Sequence, residues 1–185
     1  MYPLRIQRAA NCLLSGGIIA YPTEGVWGLG CDPFNEEAVR RLLLIKQRPM
    51  AKGLIVVAGS MKQIAPLLKN LDSAQTTLLA QSWPGPVTWL LPDPDQLIPP
   101  WIKGKFTSVA IRVSAHPPVV RLCSAFGGMI VSTSANPAQR APAQTRLRVL
   151  TWFDDSLDYI LPGKLGGQRG PSAIHDLATA SVIRS

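Results

Sequence analysis

The stretch Gly16-Gly17-Ile18-Ile19-Ala20-Tyr21-Pro22 decides the class of fold. Two glycines end a helical pattern over about residues 5–15, and the apolar run Ile18–Tyr21 reads as a strand stopped by Pro22. Working outward, the same change from helical periodicity to a short apolar run recurs. After a glycine-rich turn, Gly28-Leu29-Gly30, Asn35 is a good N-cap, and Glu36 and Glu37 favour a helix N-terminus. That helix puts Val39, Leu42, Leu43 and Ile45 on one face and stops before Pro49, delivering Lys46 and Arg48 as exposed cations at a helix end. Leu54–Ala58 reads as a buried strand, and Ser60 as the cap of a helix carrying Ile64, Leu67 and Leu68. Val87–Leu91 and Val109–Val113 are further strands, with proline-rich Pro92–Ser108 between them as an irregular surface excursion. Pro117 suits the first turn of a helix running to about Phe126; Gly127-Gly128 ends it, and Met129–Ser132 is a strand. The tail offers a helix near 145–153 and strands near 158–161 and 172–177. The pattern predicts an α/β fold: a single domain over residues 1–185 with a twisted, mostly mixed open sheet and flanking helices.

Composition narrows the class. A chain of 185 residues is long enough for one domain and short for two. Hydrophobic residues make up 46% and charged residues 16%, which excludes disorder. Runs such as Gly17–Ala20 and Leu54–Ala58 are far too short to span a membrane, and Arg5, Arg8 and Asn11 interrupt the place where a secretory core would lie. Cys12, Cys31 and Cys123 are odd in number, widely spaced and without a CxxC pair, so a reduced, cytoplasmic protein with no disulfide and no metal site is expected. His116 and His175 are isolated and read as structural.

Charge supplies the first positive clue. Lys and Arg total 19 against 11 Asp and Glu, a net charge of +8. No acidic residue lies between Asp95 and Asp154, whereas Lys103, Lys105, Arg112, Arg121, Arg140, Arg146 and Arg148 all do. Such a field attracts polyanions, either nucleic acid or nucleotide phosphates, and charge alone does not choose between them.

Three polar clusters sit where predicted strands or helices end, the usual place for ligands of open α/β sheets. They are Tyr21-Pro22-Thr23-Glu24-Gly25; Lys46-Gln47-Arg48-Pro49 with Lys52; and Ser132-Thr133-Ser134-Ala135-Asn136. Taken singly, the cations can merely complement a helix dipole and the Ser-Thr-Ser-x-Asn run can be ordinary cap chemistry. A GxxxxGK[ST] phosphate loop and a GxSxG elbow are absent, and Gly28-Leu29-Gly30 lacks the third glycine of a dinucleotide fingerprint. The residues by themselves reach an α/β domain that handles an anionic or phosphorylated ligand.

Together the clusters say more. The run Ile19–Pro33, containing Tyr21-Pro22-Thr23-Glu24-Gly25-Val26-Trp27-Gly28-Leu29-Gly30, closely resembles the opening motif of the YrdC/TsaC family of threonylcarbamoyl-AMP synthases. Lys46-Gln47-Arg48-Pro49 with Lys52-Gly53-Leu54 resembles its KxR segment. Trp83-Pro84-Gly85-Pro86-Val87-Thr88, Ala110-Ile111-Arg112-Val113 and Ser132-Thr133-Ser134-Ala135-Asn136 follow in the family's order, so the likeness runs from about Arg8 to Asp176. Trp27 stands where relatives usually have Tyr or Phe, Ser114 where longer relatives often have Pro, and Pro137-Ala138-Gln139 where many show Ser-Gly. The resemblance implies an enzyme that joins L-threonine, bicarbonate and ATP into threonylcarbamoyl-AMP and pyrophosphate, magnesium arriving with ATP. Downstream threonylcarbamoyl-transfer proteins then modify the adenosine beside the tRNA anticodon. It implies that Lys46, Arg48, Lys52, Ser134 and Asn136 hold ATP, with Lys46 and Arg48 serving the chemistry, and that Thr23, Arg112 and Ser172 hold threonine. Direct RNA contact through the basic stretch is the further expectation. A non-catalytic RNA-binding module is the competing one.

Overall fold

The computed structural model describes residues 2–184; Met1 and Ser185, within the expected domain limits, lie outside the described residues. In chain order the elements are α1 Tyr2–Leu14, β1 Ile19–Pro22, β2 Trp27–Gly30, α2 Glu36–Ile45, β3 Ile55–Ala58, α3 Ala65–Leu68, α4 Ser73–Ser82, β4 Val87–Pro92, α5 Pro100–Lys103, β5 Ser108–Val113, α6 Pro117–Phe126, β6 Ile130–Ser134, α7 Arg146–Phe153, β7 Tyr159–Ile160, β8 Ala173–Asp176 and β9 Val182–Arg184. The strands form one sheet in the order β7-β1-β2-β6-β3-β5-β4-β8-β9. It is mixed as expected: β1–β7, β3–β5 and β4–β8 run parallel, and the other neighbours antiparallel.

Strand alternation divides the core between the two faces of the sheet. Ile18, Ala20, Val56, Ala58 and Val131 join one cluster with Val39, Leu42 and Leu43 of α2 and Val149 of α7. Ile19, Tyr21, Val57 and Ile130 join the other with Ile6, Ala9 and Leu13 of α1 and Val119, Leu122 and Cys123 of α6. Helices therefore cover both faces.

Several expectations are corrected. Gly28-Leu29-Gly30 is not a turn but the body of β2, paired with β1 and β6. Its glycines make room for the Tyr21 ring: a Cβ on Gly30 would stand 2.8 Å from that ring and 2.4 Å from the Val131 carbonyl oxygen. Ser60 makes no side-chain cap; Gly59 N–H donates instead to Gln63 Oε1 (2.7 Å), and Met61–Ile64 is a 3-10 turn before the brief α3. The Pro92–Ser108 excursion contains α5 and is pinned by buried Asp93, which accepts from the Leu97 and Ile98 N–H groups. The strand expected to end at Ser132 runs on to Ser134.

Two further elements went unread. Helix α4 has an Asp72/Gln75 capping box but fully buries only Leu79, so no apolar stripe announces it. Strand β9 is short, exposed and at the sheet edge, where alternation carries no burial signal.

Candidate active site

Thr23 leaves the end of β1, Arg112 comes from β5 and Ser172 immediately precedes β8; the sheet brings all three to one cavity of about 100 Å³. Thr23 spends its hydroxyl proton on the Val26 carbonyl (2.7 Å), which leaves its oxygen as an acceptor. Ser172 Oγ lies 2.9 Å from Oγ1 of fully buried Thr88. Arg112 is 6% exposed; its Nη2 donates to Ser132 Oγ (3.4 Å) and lies 3.6 Å from Glu24 Oε2. Arg48 and Arg184 line the same cavity. Burial and the neighbouring Arg184 push the Arg48 guanidinium down from its ordinary value, and burial and Arg112 do the same to Arg184. Three cations converging on one cavity mark a place prepared for negative charge.

Next to this cavity is a second of about 360 Å³, lined by Lys46, Arg48, Lys52, Ser134 and Asn136 among others. Arg48 and Ser134 belong to both. Helix α2 builds the ledge. Asn35 Oδ1 caps its start by accepting from Ala38 N–H (3.0 Å), a bond worth ~1 kcal/mol. At its end the Arg48 N–H donates to Leu43 O and the Gln47 N–H to Leu44 O, the paired bonds of a Schellman motif, with Gln47 in the left-handed region at φ 50.

The expectation of exposed helix-end cations is corrected here. Lys46 is 5% exposed, and its ammonium donates to the carbonyl oxygens of Ser134 and Asn136 (2.9 Å to the latter). Burial foremost, then Arg48, lowers its pKa to about 8. Arg48 is half-buried and donates to the Gly53 carbonyl (2.8 Å). Ser134 Oγ donates to Asn136 Oδ1 (2.6 Å), and Asn136 Nδ2 donates to Pro137 O and Arg140 O. Asn136 thus spends its amide on shaping the loop, and Lys46 ties that loop to the end of α2. Lys52 is exposed at the rim.

A third hollow of about 260 Å³ shares Arg48, Lys52 and Arg184 and is walled by Leu54, Leu90, Ile102, Phe106 and Ile174. An apolar slot beside a cationic ledge suits a flat heterocycle joined to phosphates. Sequence reasoning missed this slot, Arg184 and Glu24. Arg184 lies on the unread edge strand, and the slot is assembled from several elements that share no local pattern. Glu24 was quoted in its motif, yet spacing gives no sign of its ion pair.

The basic stretch is also less available than its charge suggests. Lys103 forms an ion pair with buried Asp93 (2.8 Å), and Arg112 is inside the cavity. All three cysteines are free thiols, and among the described residues no group of three or more His, Cys, Asp and Glu is placed to hold a metal ion. No helix among those residues is long and apolar enough to cross a membrane.

Comparison with known proteins gives the family. The Sua5/YciO/YrdC family model, described as "Telomere recombination", matches residues 11–185. A Threonylcarbamoyl-AMP synthase of Pseudomonas aeruginosa is 56% identical over 180 residues, covering 97% of this chain and 96% of that protein. Sua5 of P. abyssi complexed with L-threonine superposes with a TM-score of 0.89 at 30% identity; 96% of this chain is covered, and it spans 52% of that longer chain. E. coli YciO shares the fold at a TM-score of 0.87 and 23% identity, covering 99% of this chain and 89% of that one. A family model matching residues 11–185, a shared fold and identity above one half along nearly the whole length lead to one conclusion: the chain belongs to the Sua5/YciO/YrdC family.

Proposed function

We propose that this chain is a threonylcarbamoyl-AMP synthase. It makes threonylcarbamoyl-AMP from L-threonine, bicarbonate and ATP, releases pyrophosphate, and so carries out the first step of threonylcarbamoyladenosine modification of tRNA. The observation that carries the reading is the junction at Arg48 and Ser134, where a small buried cavity meets a cationic ledge. Two anions can be held against each other there. The relatives named for this activity at 50–56% identity support it.

In the small cavity Arg112 takes the threonine carboxylate through its guanidinium fork, while Thr23 and Ser172 present hydroxyl oxygens to the amine and side chain. On the ledge Arg48, Lys52 and Ser134 bind the triphosphate, and Lys46 and Asn136 hold the loop that carries Ser134. Arg184 closes the junction, and the apolar slot takes the adenine. The threonine amine and bicarbonate give a carbamate and water. A carbamate oxygen then attacks the α-phosphate, and the bond to pyrophosphate breaks. No protein nucleophile is required; the side chains contribute positioning and cations facing the charge that develops on the leaving group. Magnesium would arrive with ATP, its hard-oxygen preference met by phosphate and water.

The whole chain, residues 1–185, acts as one domain of a cytoplasmic enzyme. The product passes to downstream threonylcarbamoyl-transfer proteins, and any direct tRNA contact falls to exposed cations such as Lys105, Arg140, Arg146 and Arg148. Pyrophosphate release by the purified protein, with threonine and bicarbonate each present or omitted, tests the assignment. Release that needs both supports it. A folded protein that releases none, yet binds RNA with steep salt dependence, would overturn it in favour of an RNA-binding module.

A further inference from the structure

Behind the threonine-side cavity lies a small buried network that the reaction scheme does not use. Glu24 follows Thr23 in the chain and does not itself line the cavity. Its Oε1 accepts from Ser114 Oγ (2.5 Å), and Ser114 is fully buried. Ser114 Oγ in turn accepts from His116 N–H (3.0 Å), and the Ser114 N–H donates to Ala58 O at the end of β3 (2.9 Å). The Glu24 backbone is fixed as well: its carbonyl accepts from Gln168 N–H (3.0 Å), and the Thr23 carbonyl accepts from Gly166 N–H (3.0 Å). The carboxylate is therefore held at a set place, with one oxygen engaged.

The other oxygen faces Arg112. Oε2 stands 3.6 Å from Arg112 Nη2, close enough for an ion pair and too long for a good hydrogen bond. Glu24 Oε2 and Arg112 Nε are the two buried side-chain atoms without a hydrogen-bond partner among the described residues. Both belong to this one pair, although folded proteins rarely leave such atoms unpaired. Among the described residues this is also the one ion pair made by any of Arg48, Arg112 and Arg184. Glu24 thus balances the charge of a buried guanidinium without using up its donors.

We propose that Glu24, set by Ser114, is a positioning residue for Arg112: it holds the guanidinium in the cavity with donors free for the carboxylate of the amino-acid substrate. The inference rests on the reading of this cavity as the threonine site. Removing the Glu24 charge leaves a buried cation with no counter-ion, which then turns toward other partners, and the loss falls on threonine rather than on ATP.

Calorimetric titration of L-threonine into the parent protein, Glu24→Gln, Glu24→Asp and Ser114→Ala tests this, alongside steady-state kinetics. Glu24→Gln keeps shape and removes charge, and is expected to weaken threonine binding about tenfold while the KM for ATP and kcat stay within about threefold. Glu24→Asp restores part of the loss. Ser114→Ala lowers threonine affinity by a smaller factor, about threefold, and its effect is not additive with Glu24→Gln. Threonine affinity within twofold of the parent in folded Glu24→Gln, or losses shared equally by threonine and ATP, overturns the proposal. If Glu24→Gln does not fold, unchanged threonine affinity in Ser114→Ala overturns it instead. A parent protein that binds no threonine breaks the reading of the cavity itself, and this inference falls with it.

Discussion

The cavity proposed for threonine and the ledge proposed for phosphate adjoin each other but are held by different means. The cavity is built from strand ends, and its cation Arg112 is balanced by a carboxylate carried on a different loop. The ledge is built from one helix end, and its buried cation Lys46 is balanced by backbone carbonyls of the Ser134–Asn136 turn. A guanidinium in a fixed fork suits a carboxylate that must be oriented, whereas an ammonium on neutral carbonyls keeps its positive charge uncancelled for phosphate. On the proposed roles, the difference teaches that one site is specified by geometry and the other by field.

The strongest way to break this comparison is Arg112→Lys. The charge remains and the fork is lost, so pyrophosphate formation measured at limiting threonine should fall about a thousandfold, with the KM for ATP within about threefold. A parallel rise in both KM values would make the cavity a site of field as well. Next comes Arg48→Ala. Because Arg48 lines both regions and the apolar slot, it should cost about a hundredfold in kcat/KM for ATP and for threonine together. An effect confined to ATP would separate the two regions more sharply than the structure does.

Lys46→Met should raise the KM for ATP about thirtyfold. It should also remove a pH dependence with two opposite signs. Folding lowers this lysine from 10.5 to about 8, so across that window the unfolded chain binds more protons and the cost of burying the charge is relieved as pH rises. In the parent protein this group's contribution to thermal stability therefore increases above pH 8, while ATP affinity decreases as the ammonium is lost. Thermal unfolding and ATP titration against pH should both flatten in Lys46→Met. Retention of both slopes would put the titrating group elsewhere.

The smallest effect belongs to Gln47→Gly. A left-handed backbone at φ 50 costs a residue with a Cβ more than it costs glycine, partly offset by the freer unfolded chain. A gain of ~0.5 kcal/mol, or roughly 1–2 °C in Tm, is expected with activity within twofold. A sharp loss of activity would show that the glutamine side chain itself touches substrate.

Much of this architecture is legible in local pattern. The glycine pair at 16–17, the proline after Tyr21, the Asn35 cap and the apolar face of α2 each act over a few residues, so their reading survives in the structure. The errors have the same origin. Gly28-Leu29-Gly30 reads as a turn because glycine usually marks one, but here the Tyr21 ring across the strand pair and the Val131 carbonyl leave no room for a Cβ at Gly30. Helix α4 and strand β9 are invisible because one buries a single residue and the other none.

The sequence alone determined an α/β chain with polar clusters at strand and helix ends, the order of those clusters, and their resemblance to one family. Those features rest on backbone propensity, capping and alternation, all local. Tertiary structure alone decided that Lys46 is buried under the Ser134–Asn136 turn, that Lys103 is spent on Asp93, and that Arg184 completes the cavity. It also decided that Glu24 stands behind Arg112, 88 positions away in the chain. Burial and charge pairing depend on which segments the sheet brings together, and no window of sequence contains that information.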